Sequence, residues 1–161
     1  MAAYASVAET DSYFSSRQDA VHWRTLTESV KSEALERATR ILDESFDWSG
    51  EPSEAGQTLR WPRKDVCDLD GMPLDPAAIP GRIRIAAMEQ ALFLTDPAGV
   101  HSGAFSGSGI KSASAGGMSI SFESRDRERI LAPAIQSIVR GLGALRSPAG
   151  APAKCGQLFR G

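Results

Sequence analysis

The side chains best suited to chemistry are Arg60, Trp61, Arg63 and Lys64, in the run Leu59-Arg60-Trp61-Pro62-Arg63-Lys64. Cations beside an indole can track a phosphodiester backbone while a base stacks on the aromatic face. That combination binds single-stranded nucleic acid without reading its sequence. The same run has a second reading, because tryptophan is also a strong core or interface anchor. Trp61-Pro62 could pin an extended segment onto a helical body. Both readings are open at this point.

Other candidates lose their chemistry on closer spacing arguments. In Asp68-Leu69-Asp70-Gly71, placing Gly71 at the glycine of a calcium-binding loop puts Val66 at the first ligand position and Ala77 where a bidentate glutamate belongs. Neither can supply the oxygen required, so a solvated turn is expected. In Gly107-Ser108-Gly109-Ile110-Lys111-Ser112, Ile110 separates glycine from lysine and no strand precedes the glycines, against the needs of a phosphate loop. His22 and His101 have no nucleophile at a recognisable spacing, no GxSxG, and no HxH or HExxH pattern. A hydrolase built on either histidine is the weakest of the functional readings. Asp43 and Glu44 fall on the polar face of a helix, where carboxylates support solubility. The expectation is no enzyme, no metal and no cofactor.

These residues must be positioned by a mainly α body, a small bundle of about four helices with a β-hairpin arm and an extended C-terminal tail. Ser6-Val7-Ala8-Glu9 is a capping box that opens a helix from about Val7 to Arg17, with His22 and Trp23 in a following linker. Thr27 caps a second helix, with Val30, Ala34, Ala38, Ile41 and Leu42 on its apolar stripe, Leu35 flanking it, and Lys31, Glu33, Glu36, Arg37, Arg40 and Asp43 opposite. It ends before Trp48. Residues 51–80 hold Pro52, Gly56, Pro62, Gly71, Pro73, Pro76 and Pro80, which predicts short extended pieces and turns, with Asp70-Gly71 as a tight turn. A third helix follows Pro80, buries Ile83, Ala86, Ala87, Gln90, Ala91 and Leu94, and stops at Asp96-Pro97. Together residues 1–96 make the helical body.

Residues 97–127 read as a Gly/Ser-rich loop and a hairpin arm. Met118, Ile120 and Phe122 alternate with serine across from Ile110, with Gly116-Gly117 between the segments. Residues 128–161 read as a C-terminal helix from about Ala132 to Leu145, with Ile135, Ile138, Val139 and Leu142 along one side and its end weakened by Gly141 and Gly143, followed by an extended tail.

Composition narrows the class. A chain of 161 residues can bury one real core, and its net charge of −2 argues against nonspecific DNA binding as the main task. The charge is uneven. From Arg129 onward there are five Lys/Arg and no Asp or Glu, leaving −7 on the remainder. Opposite signs at opposite ends suit a subunit that meets a neighbour or an acidic partner; a solvated basic tail is the plain alternative. Cys67 and Cys155 form no CxxC pair and read as free thiols in a reducing compartment. The N-terminus lacks a cationic segment followed by an apolar run, so no secretory leader is expected. The apolar stretch Ile83–Leu94 is too short, and too interrupted by Arg84, Glu89 and Gln90, to span a bilayer.

Four stretches in order carry a resemblance that covers nearly the whole chain. They are residues 4–14 (Tyr4-Ala5-Ser6-Val7-Ala8-Glu9 through Phe14), the Ala38-Thr39-Arg40-Ile41-Leu42-Asp43 helix, Leu59 to Arg63 with Asp68–Gly71 and Ile79-Pro80, and the terminus Leu158-Phe159-Arg160-Gly161. This order resembles a family of small tailed-bacteriophage proteins labelled DnaT-like single-stranded-DNA-binding protein, whose members look like head–tail connectors (adaptors, or head-completion proteins). The resemblance implies a virion protein at the head–tail junction, made in the bacterial cytoplasm. It implies a homo-oligomeric ring, commonly of twelve copies, that docks under the portal protein. Such a ring extends the channel for packaged DNA and offers a surface to a tail-side stopper or tail terminator. In that role Leu158 and Phe159 would fill apolar sites on the portal and Arg160 would pair with acidic groups. The arm residues Ile110, Met118, Ile120 and Phe122 would reach a neighbouring subunit or the channel.

Overall fold

A computed structural model of the chain describes residues 2–96 and 130–146. The expected hairpin at Ile110–Phe122 and the tail beyond Ser147 lie outside the described residues. What is described is mainly α, with two small antiparallel sheets of two strands each.

Helix α1 spans Val7–Phe14 and opens on the expected box: the Glu9 amide donates to Ser6 Oγ (3.2 Å), and the Ser6 amide donates back to Glu9 Oε2 (2.9 Å). It stops short of Arg17. The reason is Arg24, whose guanidinium donates to the carbonyls of Phe14, Ser15 and Arg17 (3.1, 2.8 and 2.8 Å). Helix-end carbonyls need a partner, and here a side chain supplies it where another turn would have.

Residues 21–25, expected as linker, form the short helix α2 (Val21–Thr25). It delivers Trp23 into the core, and the Trp23 indole N–H donates to Asp11 Oδ1 (2.8 Å). Helix α3 runs Glu28–Ser45 from its Thr27 cap. Its stripe is rotated from the expectation: Leu35 is fully buried while Val30 is exposed. Lys31, assigned to the polar face, is buried, with its ammonium on Asp11 Oδ1 (2.9 Å) and over the Trp23 ring. Asp11 therefore ties α1, α2 and α3 together.

Helix α4 (Gly81–Thr95) begins after Pro80 and packs along α3, burying Ile83, Ala86, Ala87, Gln90, Ala91 and Leu94 as the spacing predicts. Gln90 is fully buried, and its amide is satisfied by the C-terminal segment. Its Nε2 donates to the Ile130 carbonyl (2.7 Å), and its Oε1 accepts from the Ala132 amide (2.9 Å).

The expected long helix over Ala132–Leu145 is replaced. Only one turn, α5 (Ile135–Ile138), is helical. Strand β4 (Gly143–Leu145) then pairs antiparallel with β1 (Phe46–Trp48), in the register Phe46↔Leu145, Asp47↔Ala144 and Trp48↔Gly143. Gly141 takes a φ of +83°, which a helix cannot contain. A Cβ on Gly143 would lie 2.7 Å from the Trp48 ring and 3.0 Å from the Asp47 carbonyl oxygen, so that position must be glycine for the strands to close. Ile135, Val139 and Leu142 are still buried, and Ile138 is half-buried against them. The apolar spacing predicted the inward side chains correctly and the backbone wrongly.

Between these pieces β2 (Glu51–Pro52) pairs with β3 (Arg63–Lys64). The Asp68–Met72 turn closes as expected, with Asp68 Oδ1 accepting from the amides of Asp70 and Met72 (2.9 and 2.8 Å).

Candidate functional site

The Arg60–Lys64 run sits where α3 ends and the β2–β3 pair begins, and it faces both ways. Trp61 is only 1% exposed. It lies edge-on to Trp48 at 5.9 Å, which itself stacks on Phe46 at 5.2 Å, in a cluster with Tyr4, Leu42, Ile83 and Leu142. No base can reach the face of that indole, so in this fold it acts as a pin. The peptide bond to Pro62 is cis. Among the described residues Trp61 Nε1 is buried without a hydrogen-bond partner.

Arg63 is 8% exposed and is likewise committed to the interior. Its guanidinium donates to the carbonyls of Ser49 (2.6 Å), Gly50 (2.6 Å) and Arg60 (3.1 Å). Burial pushes its pKa down, and the neighbouring Arg60 charge adds to that. The three carbonyls belong to an irregular loop with no ladder to bond to, and one planar fork satisfies them together. Of the four candidate side chains, two face solvent. Lys64 reaches Glu51 (3.4 Å), and the Arg60 side chain is exposed.

Asp43 proves to be a structural hub, which corrects its placing on a solvated face. Its Oδ1 accepts from the Tyr4 hydroxyl (2.5 Å) and the Trp48 indole N–H (3.2 Å), and its Oδ2 accepts from the Arg60 amide (3.2 Å). Burial raises the Asp43 pKa above the ordinary carboxylate value, outweighing the three donors that pull it down. The same burial, with Asp43 beside it, raises the Tyr4 phenol. Donors from residues 4, 48 and 60 thus meet on one carboxylate. No local pattern marks Asp43 for this; its partners Tyr4, Trp48 and Arg60 are close only after folding.

Beside this hub is a shallow depression of about 350 Å³ along α3, lined by Arg40, Arg60 and Arg146 together with Glu36, Asp43 and Glu44. Its charges are mixed. Arg146 is tied down there, its side chain donating to Asp47 Oδ1 (2.9 Å) and its amide to the Ser45 carbonyl (2.7 Å).

The remaining candidates divide simply. His22 Nε2 lies 3.3 Å from the Leu92 carbonyl oxygen and 3.4 Å from Thr95 Oγ1, a packing position at the end of α4. Cys67 is exposed and free. His101, Cys155, the arm residues Ile110, Met118, Ile120 and Phe122, and the tail residues Leu158, Phe159 and Arg160 lie outside the described residues. Among the described residues no group of three or more His, Cys, Asp or Glu could hold a metal ion. No helix among them is long and apolar enough to cross a membrane.

No curated protein and no solved structure matches the chain. One family model does, over residues 1–161. The chain belongs to the family described as "Putative DnaT-like ssDNA binding protein".

Proposed function

We propose that the protein is a non-enzymatic assembly subunit, a head–tail connector of a tailed phage that forms a ring under the portal. The observation that carries this reading is how the chain divides its side chains. Trp61 and Arg63, the strongest candidates for ligand chemistry, are consumed by internal packing and loop satisfaction. The residues with the chemistry of a docking strip lie elsewhere, in the acid-free segment after Glu128 that ends in Leu158-Phe159-Arg160-Gly161. Large apolar side chains beside a cation are typical interface anchors, and repetition around a ring multiplies a weak contact through avidity. The ordered resemblance to connector proteins supports the same reading.

The partners are further copies of this chain, the portal protein and a tail-side stopper or terminator. Packaged DNA passes through the ring. The test is electron microscopy and mass measurement of the protein alone and mixed with the portal encoded by the same genome. Rings seated on portal are expected, and they should be lost on deleting Leu158–Gly161 while the helical circular dichroism is kept. A monomer that never joins portal would overturn the proposal.

The family description favours a second reading, a single-stranded-DNA-binding accessory protein. Its contacts would be phosphate pairing by Arg60, Lys64 and Arg40, without stacking on Trp61. It predicts oligonucleotide binding that falls steeply with salt and weakens with Arg60→Ala. Flat fluorescence titrations at low salt would dispose of it.

A further inference from the structure

Leu69 and Met72 are the most exposed large apolar side chains among the described residues, at 59% and 63%, and both stand on one turn. That turn is braced. The Asp68 amide donates to the Met72 carbonyl (2.9 Å) and the Leu74 amide to the Val66 carbonyl (2.9 Å), while Asp68 Oδ1 holds the amides of Asp70 and Met72. Leu69 leans on Gly141, where a Cβ would lie 2.8 Å from its Cδ2. Residues 65–81 hold Asp65, Asp68, Asp70 and Asp75 and no Lys or Arg. The turn is therefore a rigid prong, apolar at its tip and anionic around it. Paired apolar side chains on a fixed support mark an interaction site, and a rigid prong loses little entropy on docking.

The depression beside the Asp43 hub has the complementary character. Ala2 and Leu59 give it apolar lining, and Arg40, Arg60 and Arg146 stand around it with Glu36, Asp43 and Glu44. Several of these charges are already engaged within the chain. Arg146 is on Asp47, both Asp43 oxygens accept from internal donors, and Glu36 has a partner. Arg40 and Arg60 are exposed and form no ion pair among the described residues, and Glu44 is the one acid left facing them. Prong and depression lie at opposite ends of the β1–β4 pair. The Arg146 amide bonds Ser45 at one end, and Gly141 seats Leu69 beyond the other. Five extended residues separate them by roughly 16 Å, so the braced turn cannot enter the depression of its own chain.

We infer that the Asp68–Met72 turn of one copy seats in the Arg40–Arg60 depression of a second copy, with Leu69 and Met72 against Leu59 and Asp70 facing the two arginines. At about 350 Å³ the depression is of the size that encloses apolar ligand groups. The two surfaces are different patches of one chain, so the contact is heterologous. Each added copy offers a further prong and a further depression, and the series closes into a ring or runs on as a filament. The inference rests on the ring reading above and names the contact between its neighbouring subunits.

Thiol crosslinking of the full chain, alone and with portal, tests this. In a Cys155→Ser background the native Cys67, exposed at the foot of the prong, is paired with Thr58→Cys on the rim of the depression or with Gln18→Cys ahead of α2. A short bis-maleimide joins the thiols. The expected product is a ladder of crosslinked chains that grows with protein concentration, formed about tenfold faster with Thr58→Cys than with Gln18→Cys. Leu69→Ser should slow it about tenfold. Asp70→Lys should slow it severalfold, and Arg40→Glu or Arg60→Glu added to Asp70→Lys should restore the rate. Circular dichroism checks that each variant is folded. Equal rates at both thiol positions, or an Asp70→Lys defect that neither partner reversal relieves, would overturn the contact. Rings on portal with equal rates overturn this contact and leave the ring reading standing. A monomer under both conditions overturns both.

Discussion

The described residues form two cores, and they are built by different means. The first joins Phe14, Trp23, Leu35, Ala38, Ala91 and Leu94, all on helices. The second joins Phe46, Trp61, Val66 and Leu142 with the inner faces of α3 and α4, and much of it sits on strands and irregular loop. In the helical core the backbone satisfies most of its own hydrogen bonds, Arg24 at the end of α1 and the Asp11–Lys31 tie being the exceptions, so most side chains need only be apolar and correctly spaced. In the loop-and-strand core the backbone cannot do this. Buried polar side chains take over: Arg63 for three carbonyls, Asp43 for three donors, Gln90 for the segment at Ile130–Ala132. The lesson is that the residues which look most like ligand chemistry lie in the half that needs them structurally.

The largest expected effect comes from Trp61→Ala. Removing a buried indole costs about 3–5 kcal/mol, read by urea unfolding. If the contrast between the cores is real, amide exchange should accelerate first in β1, β4 and residues 61–66, before α1 and α2. A stable variant defective only in DNA binding would reverse the assignment of Trp61.

Arg63→Ala should follow at about 2–4 kcal/mol, because it leaves buried carbonyls without partners at roughly 1–3 kcal/mol each before relaxation. Arg63→Lys should recover little, since a point charge cannot reproduce the planar fork. Gly143→Ala is expected to cost about 1–3 kcal/mol through overpacking against Trp48. It should raise exchange across the β1–β4 pair while leaving α3 and α4 protected.

The two cores should also respond to pH with opposite sign. Asp43 in the loop core has a raised pKa, burial being the main cause. Between its ordinary and raised values the folded chain binds more protons than the unfolded one, so its contribution to stability falls as pH rises through that interval. Asp11 in the helical core is lowered, because Lys31 and Trp23 outweigh its desolvation. Its contribution is present above the ordinary carboxylate value and is lost as pH falls through the lowered one. Stability differences between the wild type and Asp43→Asn or Asp11→Asn, followed from pH 3 to 7 by urea unfolding, separate the two slopes. The smallest effect belongs to Ser6→Ala, about 1 kcal/mol from loss of the α1 cap, and it should be confined to the helical core.

The same division explains what could be read in advance. The α1 cap, the span of α3 and the buried face of α4 were legible because their determinants are local: a capping residue, a 3.6-residue period and a proline at the start. Lys31 and Asp43 were placed on solvated faces because charge is normally outside, and their burial depends on Asp11, Trp23, Tyr4 and Trp48 arriving from elsewhere. The segment at 132–145 had a helical period but also Gly141 and Gly143. The waiting edge of β1, almost a hundred residues earlier, decided in favour of a strand. The Arg60–Lys64 run offered two readings that its composition could not separate, since an indole that stacks on bases and one that stacks on Trp48 are the same residue.

The sequence by itself determined α1, α3 and α4, the Ser6 and Thr27 caps, the turn at Asp68–Met72 and the one-signed charge of the C-terminal segment, all properties carried by neighbouring residues. Tertiary structure alone decided that Trp61 and Arg63 face inward, that Asp43 collects its three donors, and that β4 closes on β1 in place of the expected helix. Those outcomes depend on which distant surfaces must be desolvated together, and only folding brings those surfaces into contact.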